Sequence, residues 1–233
     1  MDSTTFATHP IDPREKKKYY LRDTPQRHLM VGAARVIFKL VMKLNVSGLE
    51  NLPPQGPVIL AANHVTNFDV FPMQFALSRP IFFMGKAELF RNPLLEVLLR
   101  NLGGFPVNRG EKDQWAIRQA AKVLKYGQVL GMFPEGKRSR GRGLAVAKTG
   151  VARLALETKS PIVPVAVIGS DKFFERFPHR ARVSIELLQP IVPKPGETPL
   201  ALTDRLMFTL AQSLPEEMRG VYAEMPKGFA MQM

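Results

Sequence analysis

The stretch PVILAANHVTNFDVF, residues 57–71, decides how the chain is read. Its first half, PVILAAN (57–63), is a continuous apolar run of the kind that forms a buried strand. Polar residues end the run, and FDVFPMQFALS follows with the makings of a helix. The same alternation continues outward. PIFFMGK (80–86), GFPVNR (104–109), QVLGMFPEG (128–136), PIVPVAVIGS (161–170) and ARVSIELLQPIV (181–192) predict strands. Between and after them NPLLEVLLRNL (92–102), DQWAIRQAAKVLKYG (113–127), KTGVARLALETK and LTDRLMFTLAQSL predict helices. Strands alternating with amphipathic helices give an α/β domain.

With 233 residues and 45% hydrophobic content, the chain is long enough for one sizeable core plus an appendage. It has no cysteine, which excludes disulfides, thiolate metal sites and Cys nucleophiles together. The 33 Lys and Arg outnumber the 20 Asp and Glu, giving a formal charge of +13. Such an excess points to an anionic partner: nucleic acid, a membrane surface or a phosphorylated small molecule.

Residues 1–25 read as a polar basic arm, without the apolar core of a secretory signal. Residues 26–44 then predict a basic amphipathic helix. At 100° per residue His28, Arg35, Lys39 and Lys43 form a narrow stripe, and Leu29, Val36, Ile37, Leu40, Val41 and Leu44 cover most of the rest. Its cations argue against a bilayer span. Two readings stand: a helix lying in the membrane interface, and a helix docked on its own domain with a solvated basic edge.

The chemistry gathers where strands hand over to loops. His64 and Asp69 are five residues apart, a spacing that a regular helix would separate by about 140°. A strand end followed by a helix start can bring them together, with Thr66 or Asn67 as cap and Asp69 in the first turn. A His held by a carboxylate through one ring nitrogen has the other free as a general base. The alternative is a structural His beside a helix-start charge. No G-x-S-x-G elbow occurs, so an acceptor hydroxyl would belong to the substrate. His9, His28 and His179 are not spaced as zinc ligands, and no metal site is expected.

GMFPEGKRSRGRG (131–143) is close to a nucleotide-binding G-x-x-x-x-G-K-[ST] loop. Arg138 occupies the position of the metal-binding Ser or Thr, which argues against that use.

NHVTNFD with its H-x-x-x-x-D, then GGFPVNR, FPEGKRS and IVPVAV, in this order and at these separations, resemble the glycerolipid acyltransferases, specifically the bacterial 1-acylglycerol-3-phosphate acyltransferases. The resemblance spans residues 58–170. It implies a single acyltransferase domain over 45–233, with a mixed central sheet flanked by helices and the amphipathic helix seated on a membrane. His64 would deprotonate the acceptor's hydroxyl and Asp69 would orient the ring. The oxygen would then attack an acyl thioester directly, without an acyl-enzyme. Arg109, Glu135, Gly136 and Arg138 match blocks linked to the glycerol phosphate acceptor, and Lys86 a basic residue near the same phosphate. Pro164 matches the block that shapes the acyl-donor region. The donor would be acyl-CoA or acyl carrier protein, the acceptor a lysophospholipid, the product phosphatidic acid, with no cofactor. The protein would be peripheral or monotopic at the cytoplasmic face of a membrane. Lys137 departs from the family, many of whose members have Thr there.

Bidentate donation favours Arg109 and Arg138 as phosphate ligands. Arg140 and Arg142 read as a basic rim, either solvated or touching lipid headgroups. Glu135 has three readings: acceptor of a glycerol hydroxyl, holder of an Arg, or partner of the loop's backbone. The leucines of NPLLEVLLRNL supply an acyl groove or simply core, and Trp115 is a packing residue. Recognition-helix and aromatic RNA-binding motifs are missing, which argues against nucleic acid. An acyltransferase of the same family with another lysolipid or hydroxyl acceptor, and a non-enzymatic basic membrane-binding protein, stand as the alternatives.

Overall fold

Residues 12–17, 19, 24–108, 113–172 and 179–226 are described by the computed structural model. In chain order the elements are α1 (Pro25–Val41), β1 (Met42–Ser47), β2 (Val58–Ala62), α2 (Val70–Ala76), β3 (Ile81–Lys86), α3 (Pro93–Asn101), β4 (Gly104–Val107), α4 (Gln114–Lys125), β5 (Val129–Met132), α5 (Gly150–Thr158), β6 (Ile162–Ile168), β7 (Ala181–Leu187) and α6 (Pro199–Gln212). The strands form one sheet in the order β1-β7-β6-β2-β5-β3-β4. Neighbours run parallel except β6 and β7. The domain is therefore α/β, as the alternation of elements predicts, and its sheet is mixed, as the resemblance implies.

The apolar run that opens β2 is explained by its place between β5 and β6. Ile59 and Ala61 enter one core with residues of α4, α5 and α6, while Val58, Leu60 and Ala62 enter another with Met73 and Leu77. All five β2 side chains are fully buried. At about 1.5–3 kcal/mol for each large aliphatic side chain, burial on both faces specifies this strand strongly.

The helix expected over 26–44 is observed as α1 and ends at Val41. Lys43 and Leu44 belong to β1, which pairs parallel with β7, Lys43 facing Arg182 and Leu44 facing Val183. The alternation in MKLNVS outweighs the helical spacing because Met42, Ala181 and Val183 share a buried cluster. Among the described side chains of α1 none is fully buried; Leu29, Val36, Ile37 and Leu40 are exposed.

The polar arm docks in part. Arg14 donates to both carboxylate oxygens of Asp113, at 2.5 and 2.9 Å, and lies 4.4 Å over the Trp115 ring. Lys17 Nζ donates to Glu96 at 2.7 Å, and Tyr19 meets Trp115 edge-on. Trp115 is thus the plate on which the arm is laid.

Candidate functional site

Strands β2, β5, β3, β4 and β6 run parallel, so their carboxyl ends open on one edge of the sheet. Loops at that edge are where α/β sheets build sites. Leaving β2, Asn63 fastens the loop to β6: its Nδ2 donates to Val167 O and its Oδ1 accepts from Val167 N, both at 2.8 Å. His64 follows on this anchored backbone.

Asp69 lies immediately before α2 rather than within its first turn. Its fully buried carboxylate folds back over the turn, where Oδ2 meets His64 Nδ1 at 2.7 Å. The same oxygen accepts the N–H of Val65 at 2.7 Å and of Thr66 at 3.0 Å. Oδ1 accepts the hydroxyls of Thr66 and Ser170, the latter from the loop after β6. A carboxylate with so many donors is fixed in orientation, and it sets the Nδ1–H tautomer of His64. The imidazole stacks on Phe133 with centroids 3.9 Å apart and planes 16° apart. Only 7% of His64 is exposed, so its open side is the cavity it lines.

That cavity has a volume of about 230 Å³. Phe83, Met84, Val107, Met132, Phe133 and Val151 make it chiefly apolar, and Lys148 and Gly136 stand at its polar end. Gly131 permits the shape: a Cβ there would come 2.1 Å from the Phe83 ring.

A second cavity of about 550 Å³ adjoins it, with Gly136 common to both. Lys137, Arg138, Ser139, Arg140 and Arg142 form one wall, and Gly220 and Val221 another. The loop is tied to the His by its backbone, Ser139 N donating to His64 O at 2.7 Å. It is tied to the C-terminal turns by Leu144 N to Met218 O at 2.9 Å and Val221 N to Leu144 O at 3.1 Å. Gly143 and Gly220 cross where a Cβ on the second would sit 2.2 Å from Leu144 O. Tyr222 completes the clasp, its hydroxyl accepting from Ala147 N at 3.0 Å.

Glu135 is buried between these parts. Oε1 accepts the main-chain N–H of His64 and Oε2 that of Ala145, each at 2.9 Å. Burial pushes its pKa up, against the opposing pull of those N–H groups and of His64. Of the three readings of this residue, the geometry is that of a backbone partner.

The structure thus brings His64, Asp69, Glu135, Gly136 and Arg138 to one place. Lys86, at the end of β3, pairs instead with Glu88 at 3.1 Å and lines neither cavity. Pro164 is buried inside β6, where its carbonyl accepts from Leu188 N at 2.9 Å just before the antiparallel ladder to β7 begins. It also lines neither cavity. Arg109 lies outside the described residues. Ser170, Lys148 and Tyr222 were not singled out in the sequence. Ser170 had a signal, a polar residue at the exit of an apolar strand; the other two had none.

A family model described as Acyltransferase matches residues 43–168. Among curated proteins, the 1-acyl-sn-glycerol-3-phosphate acyltransferase of Bacillus subtilis (strain 168) is 32% identical over 147 residues, 63% of this chain and 73% of that protein. The protein of the same name from Borreliella burgdorferi is 33% identical over 57% of this chain and 54% of its own length. That from Escherichia coli (strain K12) is 34% identical over 58% and 57%. The match therefore spans little more than half the length of the latter two. Among solved structures, the 1-acyl-sn-glycerophosphate (LPA) acyltransferase PlsC from Thermotoga maritima aligns with a TM-score of 0.64 at 22% identity, covering 83% of this chain and 84% of that one. At that identity the likeness is one of fold.

Proposed function

Because the chain belongs to the acyltransferase family, we propose that it moves a fatty acyl group from an acyl thioester to the free hydroxyl of 1-acylglycerol 3-phosphate, giving phosphatidic acid. The observation that carries this reading is the 2.7 Å bond between His64 Nδ1 and Asp69 Oδ2 at the wall of an apolar cavity, beside a second cavity lined by cations.

With Nδ1–H engaged by Asp69, Nε2 takes the proton of the acceptor's hydroxyl as its oxygen attacks the thioester carbonyl. Asp69 balances the imidazolium that forms. Collapse of the tetrahedral intermediate breaks the C–S bond, and the departing thiolate takes the proton back from His64. No acyl-enzyme is needed. Arg138 holds the acceptor's phosphate, Gly136 lines both cavities, and Glu135 fixes the backbone of His64. Phe83, Met84, Val107 and Val151 receive apolar chain. CoA and acyl carrier protein both supply the required thioester.

No helix among the described residues is long and apolar enough to cross a membrane. Leu29 is 74% exposed on α1, Leu40 63% and Leu94 on α3 82%. The two α1 leucines, with Arg35 and Lys39 on the same helix, suit a helix lying in the cytoplasmic interface of a bilayer. Loss of vesicle flotation in Leu29→Ser/Leu40→Ser is the expected result.

The deciding experiment measures acyl transfer to lysophosphatidic acid from labelled donors, beside His64→Ala and Asp69→Asn. Activity is expected to fall by about 10²–10⁴ in both. Full activity in a folded His64→Ala protein would sink the mechanism.

A further inference from the structure

The acceptor's phosphate accounts for only part of the charge built around the site. Lys137, Arg138, Arg140 and Arg142 all line the larger cavity. A phosphomonoester carries about −1.5 to −2 at pH 7, so one such group compensates at most about half of the cationic charge. Among the described residues, no carboxylate forms an ion pair with any of these side chains.

The cations lie at two depths. Arg138 is half-buried, next to Ser139, whose N–H reaches His64 O; Arg140 and Arg142 are exposed on the outer turn. Gly220 and Val221 form the facing wall, and the glycine crossing holds that wall in place. Direct transfer requires donor and acceptor to be at His64 together, so a second anion must be accommodated while the first is bound.

We infer that Arg140 and Arg142 bind the phosphate of the acyl donor, the group esterified to the pantetheine arm that acyl-CoA and acyl carrier protein share. The inference rests on the acyl-thioester reading above. The inner Arg138 then serves the acceptor, and the outer pair serves the donor by charge-assisted hydrogen bonds.

The test compares the full chain with Arg140→Gln/Arg142→Gln, using acyl-CoA, acyl carrier protein and acyl-pantetheine, which lacks the phosphate. The KM for acyl-CoA is expected to rise about tenfold or more, with those for acyl-pantetheine and lysophosphatidic acid unchanged. Arg140→Lys/Arg142→Lys should recover part of the loss. An equal rise with acyl carrier protein supports the contact with the shared phosphate; a rise with acyl-CoA alone would overturn it in favour of the nucleotide's phosphates. Equal rises for acyl-CoA and acyl-pantetheine, a rise confined to lysophosphatidic acid, or no change would overturn the inference. So would weaker binding to anionic vesicles with unchanged donor kinetics, which marks a headgroup contact. If the wild-type chain transfers acyl groups from no donor, the proposed function fails, and equilibrium binding of CoA itself decides: a tenfold loss in the double variant sustains the site, and equal binding removes it.

Discussion

Glu135 Oε1 accepts the main-chain N–H of His64 at 2.9 Å, so the acid of the basic loop grips the backbone of the proposed base and not its ring. The second oxygen grips Ala145 N, and one buried carboxylate thereby sets the spacing between the β2 exit and the cationic wall. Glu135→Gln keeps one acceptor but turns an NH2 toward the other N–H. We expect kcat to fall by about 10²-fold and stability by about 2 kcal/mol, with little change in the acceptor's KM. Initial rates and thermal unfolding measure both. A rise in acceptor KM at constant kcat would return Glu135 to the substrate-contact role.

Ser170 acts on the same centre from the opposite side by donating to Asp69 Oδ1. Ser170→Ala leaves that oxygen with the Thr66 hydroxyl, and the carboxylate gains freedom to rotate. About a tenfold loss in kcat with KM preserved is expected, well short of the loss in Asp69→Asn. Equal losses in the two variants would mean that Ser170 takes part in the chemistry itself.

Gly131 lies under the Phe83 ring, where a Cβ would approach to 2.1 Å. Gly131→Ala must displace that ring, which stacks with Phe133 at 6.2 Å between centroids. A cost of about 1–3 kcal/mol is expected from overpacking, with poorer use of bulky acyl donors. Denaturant unfolding and a donor series read the two effects separately.

The Arg14–Asp113 contact gives a pH signature. Burial pushes the Asp113 carboxyl up, but Arg14 and the N–H groups of Asn108 and Ala116 hold it below its ordinary value. A depressed carboxyl contributes stability that is complete above its unfolded pKa of about 3.9 and disappears as pH falls through the folded value. The stability difference between wild type and Asp113→Asn should therefore be about 2 kcal/mol and flat above about pH 5, shrinking below about pH 4. A difference that grows on acidification would show that Arg14 does not govern this carboxyl.

His64 and Asp69 were legible because one loop contains both, and a short turn is enough to close the pair. The order of strands and helices was legible for a related reason: burial on both faces leaves unbroken apolar runs such as VILAA and IVPVAV. β1 was lost because MKLNVS satisfies the 100° spacing of the preceding helix as well as the alternation of a strand; only the neighbouring β7 decides between them. The grip of Glu135 was invisible since backbone N–H groups carry no residue identity. Lys148 and Tyr222 reach the site through tertiary contacts from far along the chain, and Trp115 gains its purpose only when Arg14 is laid across it.

The crossing of Gly143 with Gly220 redraws the limits of the catalytic unit. The family match stops at residue 168, yet a wall of the cationic cavity comes from residues 220 and 221. A fragment cut at the end of the matched block would retain His64, Asp69 and Arg138 and still lose the wall made by Gly220 and Val221. The segment that completes the cationic cavity therefore lies outside the block by which the family is recognised.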